Sequence, residues 1–249
     1  MLPIPVPSNF RIIAHRGASG YAPENTAAAF KLATEMGIKE FETDTQLSTD
    51  GTVVLCHDTN LERYGHGSKV IEGSSSHELL ALDMGSWFSP FLFSKEKMLT
   101  LEELFSIYRD NVTYHIEIKG EAKELPQQVL HVIRKFNVRD SCIVTSFSFD
   151  ALRSIRSLTD ELRLGWLVEQ INTQICEKAI ELGLFQLCPR ADQATPEMVK
   201  LGRTVVQEIR AWGLSEQPQE VVKHIQQVVK SGCDGMTINW PDWVVHQSR

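Results

Sequence analysis

The chain has 249 residues, 42% of them hydrophobic and 23% charged, with a formal net charge of −7 at pH 7. That balance excludes the basic footprint of a nucleic-acid-binding protein, and no stretch approaches the roughly 20 apolar residues of a membrane span. Five scattered cysteines, odd in number and without a Cys-x-x-Cys pair, fit reduced thiols in a cytoplasmic protein better than a disulfide framework.

The N-terminal run Met1-Leu2-Pro3-Ile4-Pro5-Val6-Pro7 alternates proline with apolar residues and lacks a basic n-region, so it does not read as a signal peptide. Arg11 to Ala14 is a short apolar run and predicts a buried strand ending at His15. Gly17 and Gly20 then loosen the backbone. Asn25 or Thr26 is positioned to cap the helix that begins at Ala27, and Gly37 sits where a helix-terminating glycine belongs. A second strand follows over about 38–47. Within it Glu42 and Asp44 are two apart and share a face, with Phe41 and Thr43 on the other. After the turn Thr49-Asp50-Gly51, residues 52–56 return as a hairpin strand closed by His57. The segment from Thr59 to about Leu99 has loop character at Gly65-His66-Gly67-Ser68 and Gly73-Ser74-Ser75-Ser76.

Thr100 with Glu103 forms a capping-box signature for a helix. The third barrel strand is placed at 114–119, where Glu117 and Lys119 again share one face with Ile116 and Ile118 behind. Helices are expected over about 125–136, 150–158, 173–182 and 219–231. Strands are expected at 142–145, 162–168, 185–188, 204–211 and 235–238. Strands alternating with helices imply a parallel sheet, and eight such units imply an α/β (β/α)8 TIM barrel. The expected domain is 1–249, a single barrel with a small insertion after the second barrel strand, at about 47–100. The C-terminal strand ends carry the chemistry in that fold, and His15, Glu42, Asp44, Glu117 and Lys119 all fall there.

Two carboxylates at i and i+2, joined by a third on another strand, suit a hard cation such as Mg2+ or Ca2+ better than zinc. The alternative is that the acids are ion-paired to Arg16 and Lys119 and bind nothing. His115, deeper on its strand, reads as a packed or supporting histidine rather than a catalytic one. His66 reads as a loop residue, and His77, His131, His224 and His246 as surface residues.

Taken together, His15-Arg16-Gly17, Glu24-Asn25-Thr26, Glu42-x-Asp44, His57-Asp58 and Glu117-x-Lys119 resemble, in order and spacing, the glycerophosphodiester phosphodiesterase family. The resemblance runs across most of the chain. It implies metal-dependent hydrolysis of a small-molecule glycerophosphodiester to sn-glycerol 3-phosphate and an alcohol, by way of a cyclic phosphate. It implies Glu42, Asp44 and Glu117 as ligands of one divalent cation, Mg2+ or Ca2+, and His15 and His57 as the acid–base pair. Arg16 and Lys119 match the phosphate-contacting positions. The order of the two histidine roles is not in the sequence; we carry forward His15 as base and His57 as acid. Glu24 is expected to hold the first loop, by pairing with Arg16.

Phe147, Trp212 and Trp240 end three strands and are candidates for an apolar wall against the glycerol or alcohol moiety, the alternative being packing of the barrel rim. Two positions depart from the family pattern. Gly213-Leu214-Ser215 replaces a polar run after Trp212, and Asn239 stands where an acid is common. The apolar run Trp87 to Phe93 is the one candidate for weak membrane-surface contact, its alternative being packing of the insertion on the barrel. It is the sole support for a lysophospholipase D-type activity. A barrel that binds a phosphodiester without turning it over is the third reading, and the oligomeric state is not legible.

Overall fold

The computed structural model describes residues 2–213, 215 and 217–247. Its strands are β1 Ile4–Val6, β2 Arg11–His15, β3 Glu40–Leu47, β4 Val53–Leu55, β5 Thr113–Ile118, β6 Cys142–Ser146, β7 Arg163–Val168, β8 Gln186–Pro189, β9 Glu208–Ala211, β10 Gly235–Ile238 and β11 Val244–His246. Its helices are α1 Ala27–Glu35, α2 Ser76–Ala81, α3 Leu101–Tyr108, α4 Leu125–Phe136, α5 Phe149–Leu158, α6 Thr173–Glu181, α7 Pro196–Gly202 and α8 Pro218–Ser231.

Eight parallel strands follow the order β2-β10-β9-β8-β7-β6-β5-β3, and β3 closes onto β2 through Ala14↔Phe41 and His15↔Glu42. This is the (β/α)8 barrel expected from the alternation. β4 runs antiparallel to β3 as the hairpin return. β1 and β11 form a separate parallel pair outside the barrel.

The alternation along each barrel strand sorts charge from oil. On β3 the acids Glu40, Glu42 and Asp44 face the barrel interior, while Phe41 joins the main apolar cluster. Tyr114, Ile116 and Ile118 of β5, Leu187 of β8, Ile209 of β9 and Ile238 of β10 join the same cluster, together with Phe30, Leu104, Val129, Ile155 and Ile225 from the surrounding helices. The principal core is therefore the ring between sheet and helices.

The barrel interior is largely polar. Near its base, Arg11 pairs with Glu40 at 2.7 Å and contacts Glu208, which Gln186 also touches. His115, fully buried, meets Glu40 at 3.1 Å. Burial lowers the His115 pKa to about 4. His115 is thus the packed histidine the sequence implied.

The insertion between β4 and α3 builds a satellite core from Val54, Cys56, Leu61, Tyr64, Ile71, Leu79, Met84 and Met98, with Trp87 packed against it. Ser75 and Glu78 form a capping box that starts α2, where the serine-rich composition suggests only loop. His66 donates through Nε2 to the Asp83 carbonyl, 2.8 Å away, and serves that loop. The Trp87–Phe93 run divides: Trp87 packs edge-on against Tyr64 and Phe88, whereas Phe91 and Leu92 are 94% and 78% exposed. All five cysteines are buried and free. Among the described residues no helix is long and apolar enough to cross a membrane.

Candidate active site

The site is assembled at the C-terminal strand ends, beginning with the β2–α1 loop. Arg16 (φ 57) and Asn25 (φ 56) both take the left-handed region, which is costly for residues with a side chain and persists where neighbours over-determine it. Here the Arg16 N–H donates both to the Glu42 carbonyl at 3.0 Å and to Glu42 Oε2 at 3.1 Å, and the Asn25 N–H donates to the Arg16 carbonyl at 3.0 Å. Thr26, not Asn25, is the cap of α1: its hydroxyl accepts from the Ala29 N–H. Asn25 instead donates through Nδ2 to Asp44 Oδ2 at 3.0 Å and accepts from the Thr43 hydroxyl at 2.8 Å.

Gly17 makes this loop possible. Its φ is +83°, and an added Cβ would lie 2.6 Å from the Ala29 carbonyl carbon. Gly17→Ala is expected to cost about 2–5 kcal/mol through left-handed strain plus overpacking. A fall in the denaturant midpoint at unchanged m-value would register it.

Glu42, Asp44 and Glu117 are all buried, and one ligand oxygen from each lies within 4.8 Å of the others. Register explains the cluster, since Asp44 is the direct neighbour of Glu117 across β3 and β5. Arg16 Nε meets Asp44 Oδ2 at 2.9 Å and Lys119 meets Glu117 at 3.2 Å, so ion pairs are present as well. They do not balance the cluster. Burial, then the Asp44 and Glu117 charges, push Glu42 well above the usual carboxylate range. Burial, then Asp44, raise Glu117 to about 7. Burial alone would raise Asp44, but Arg16, His57 and Lys119 outweigh it and hold Asp44 below its ordinary value. Asp44 Oδ1 has no hydrogen-bond partner among the described residues. Three crowded carboxylates with surplus acceptor capacity and all-oxygen donors fit a hard divalent cation.

The two imidazoles are held alike. His15 Nδ1 lies 2.6 Å from Asn239 Oδ1, and His57 Nδ1 lies 2.7 Å from Asp58 Oδ1. Both acceptors fix the proton on Nδ1 and leave Nε2 unprotonated in the neutral ring. His15 Nε2 stands 3.8 Å from Glu42 Oε2. Burial, then the Arg16 charge, lower the His15 pKa to about 3, so the ring is neutral at neutral pH. Both histidines line a cavity of about 250 Å³ with Arg16, Glu42, Glu117, Lys119, Phe147 and Trp212.

A family model for the glycerophosphoryl diester phosphodiesterase family matches residues 15–243. The chain belongs to that family. Among relatives of this glycerophosphoryl diester phosphodiesterase family member is the putative glycerophosphodiester phosphodiesterase YhdW of Bacillus subtilis, 30% identical over 247 residues, covering 96% of this chain and 98% of that protein. A glycerophosphodiester phosphodiesterase of Caldanaerobacter subterraneus subsp. tengcongensis is 28% identical, covering 96% and 97%. An Oleispira antarctica phosphodiesterase solved in complex with the product sn-glycerol-3-phosphate superposes with a TM-score of 0.82 at 27% identity, covering 95% of this chain and 94% of that chain.

The remaining residues singled out in the sequence divide into those that face the cavity and those that do not. Phe147 and Trp212 meet edge-on, ring centroids 4.7 Å apart, and Lys119 Nζ lies 5.5 Å from the Phe147 centroid. Trp240 is not part of that wall: it stacks on Trp243 at 4.7 Å and packs against Gly20. Gly213 lines the cavity, whereas Leu214 lies outside the described residues. Glu24 pairs with Arg16 at 3.0 Å and with Arg63 at 2.7 Å. Asn239, noted only as a departure, is the partner of His15.

Arg210 carries no sequence signal beyond lying in a strand. Only 1% exposed, it borders the cavity, and its Nε and Nη2 lack hydrogen-bond partners among the described residues. Its charge favours the ionised form of Glu42. A second cavity of about 730 Å³ opens beside the first and shares Glu117, Lys119 and Phe147 with it.

Proposed function

We propose that this enzyme hydrolyses glycerophosphodiesters to sn-glycerol 3-phosphate and an alcohol, using a divalent cation and two histidines. The observation that carries the proposal is the convergence in one cavity of two imidazoles, each engaged through Nδ1, beside a buried carboxylate trio. Family membership and the related phosphodiesterase solved with sn-glycerol-3-phosphate support the same substrate class. We treat residues 1–249 as one domain, with the insertion as part of the barrel unit.

Glu42, Asp44 and Glu117 would hold the cation, Mg2+ or Ca2+. Once bound, it would supply positive charge to the phosphoryl oxygens. Arg16 and Lys119 add fixed charge from the chain itself, where low dielectric makes it count. His15, neutral at neutral pH, accepts the proton of the attacking hydroxyl at Nε2. His57, when doubly protonated, donates from Nε2 to the leaving oxygen while Asp58 accepts from its Nδ1–H and holds the ring in place. Phe147 and Trp212 form an apolar plate against carbon atoms of the substrate.

The test uses chelator-stripped protein with glycerophosphocholine, assayed for sn-glycerol 3-phosphate without metal, with Mg2+ and with Ca2+. Release that depends on one of the ions is expected. Release unaffected by chelation removes the metal from the proposal, and no release with either ion removes this substrate class. The exposed pair Phe91 and Leu92 favours a second reading, contact with a lipid surface and action on lysophospholipids. Lysophosphatidylcholine in the same assay separates the two.

A further inference from the structure

We propose that Arg63 is the positioning residue that locks His57 and couples the insertion to both sides of the site. The proposal rests on reading His57 as an acid–base group. The Arg63 guanidinium lies over two aromatic faces, 4.5 Å from the Tyr64 centroid and 4.9 Å from that of Trp87. The two rings stand nearly perpendicular, 5.4 Å apart, and restrict the plane of the cation.

Held there, the guanidinium spends its donors on two carboxylates. Nε and Nη2 donate to Asp58 at 2.8 and 3.2 Å, one to each oxygen. Nη2 and Nη1 reach Glu24 at 2.7 and 3.4 Å. The Tyr64 hydroxyl accepts from Nη2 at 2.7 Å and donates to Glu24 at 2.8 Å. A carboxylate gripped on both oxygens cannot turn, so Asp58 Oδ1 stays fixed as the acceptor for His57 Nδ1. That keeps Nδ1–H on Asp58 in both protonation states, so the proton His57 gains and gives up is the one on Nε2. On the other side Glu24 carries the same restraint to Arg16, at 3.0 Å, and through Arg16 to Asp44.

Lysine keeps the charge at this position but cannot form the two-pronged contact, so Arg63→Lys isolates geometry from electrostatics. The full chain would be labelled with 15N-histidine, and the His57 ring signals assigned by their absence in His57→Ala. Native protein is expected to show Nδ1 protonated and Nε2 bare at a pH where the ring is neutral. In Arg63→Lys the two tautomers mix, and kcat for glycerophosphocholine falls roughly 10- to 100-fold with KM changed far less. Unchanged ring signals, an unchanged kcat, or a loss confined to KM each overturn the proposal. If Arg63→Lys does not fold, Trp87→Leu removes one aromatic face while leaving every carboxylate in place, and the same ring signals decide. Full activity in His57→Ala would refute the acid–base reading instead, while the tautomer shift in Arg63→Lys still reports whether Arg63 orients the ring.

Discussion

His15→Ala is expected to lower kcat/KM for glycerophosphocholine by roughly a hundredfold or more, the usual scale for a lost acid–base group. Two features keep the ring neutral with Nε2 unprotonated, the form the proposed base role requires. Asn239 Oδ1 accepts from Nδ1–H, and burial with the adjacent Arg16 charge suppresses protonation of Nε2, holding the pKa near 3. Alanine removes the acceptor at Nε2 and leaves Glu42, Asp44 and Glu117 in place. Metal binding, measured by titration calorimetry, should therefore persist while turnover is lost. A fully active His15→Ala protein would sink the mechanism, and loss of metal binding with activity would show that His15 acts through the carboxylates.

The second large effect concerns the carboxylate trio without its cation. Glu117 is raised from 4.5 to about 7, and Glu42 is raised as well. A carboxyl whose folded pKa exceeds its unfolded value binds more protons in the native state. Its contribution is present below about pH 4.5 and is lost as pH rises through the folded value. The chelator-stripped protein is thus expected to lose this contribution between about pH 4.5 and 7. Glu24 and Glu40 have the opposite sign. Burial would raise both, but Arg16 and Arg63 hold Glu24 near 2, and His115 with Arg11 holds Glu40 near 2. Their contributions are present above about pH 4.5 and are lost as pH falls toward 2.

Adding Mg2+ or Ca2+ at about 100 times its Kd should stabilise by about 2.7 kcal/mol, roughly 5–10 °C in Tm for a chain of this length. At one fixed cation concentration the gain should be larger at pH 8 than at pH 6, because binding displaces protons from Glu42 and Glu117 and so weakens as pH falls. Thermal scans at both pH values check this. A pH-independent gain would contradict the assignment of those two acids as ligands.

The fold was legible where local pattern and tertiary demand agree. A helix is expected over 125–136, and α4 occupies it end to end. β10 likewise occupies 235–238. Where pairing is distant, local pattern carries no signal: β1 finds β11 some 240 residues away, and the prolines around Ile4 argue against a strand. The region 204–211 shows a different failure. Thr195 and Pro196 mark the start of α7, but the apolar run after it invites a long strand, whereas only Glu208–Ala211 enters the sheet.

At the site, spacing brought the carboxylates into view, because i and i+2 on a strand must share a face, and the family resemblance singled out the two histidines. The supports were harder to see. Asn25 precedes a helix and resembles a cap, yet a φ of 56° turns it toward Asp44. Arg63 lies in a loop whose partners, Glu24 and Trp87, are separated from it by 39 and 24 positions. Trp240 resembles Trp212 in its place at a strand end, but the chain turns at Pro241 and stacks it on Trp243.

The polar interior and the apolar ring around it divide the molecule's labour. Cohesion comes from side chains such as Phe41, Ile116 and Ile209, which never see the substrate, and chemistry comes from their neighbours one position along the same strands. Each barrel strand is thus written in two interleaved registers. Variation at the inward positions that line the cavity retunes substrate and metal, whereas the deeper inward positions Arg11, Glu40 and His115 are tied to folding by their ion pairs, as the outward apolar ones are by packing. Such a scaffold can diversify at the cavity rim, while the apolar ring and the ion pairs at the barrel base hold the frame.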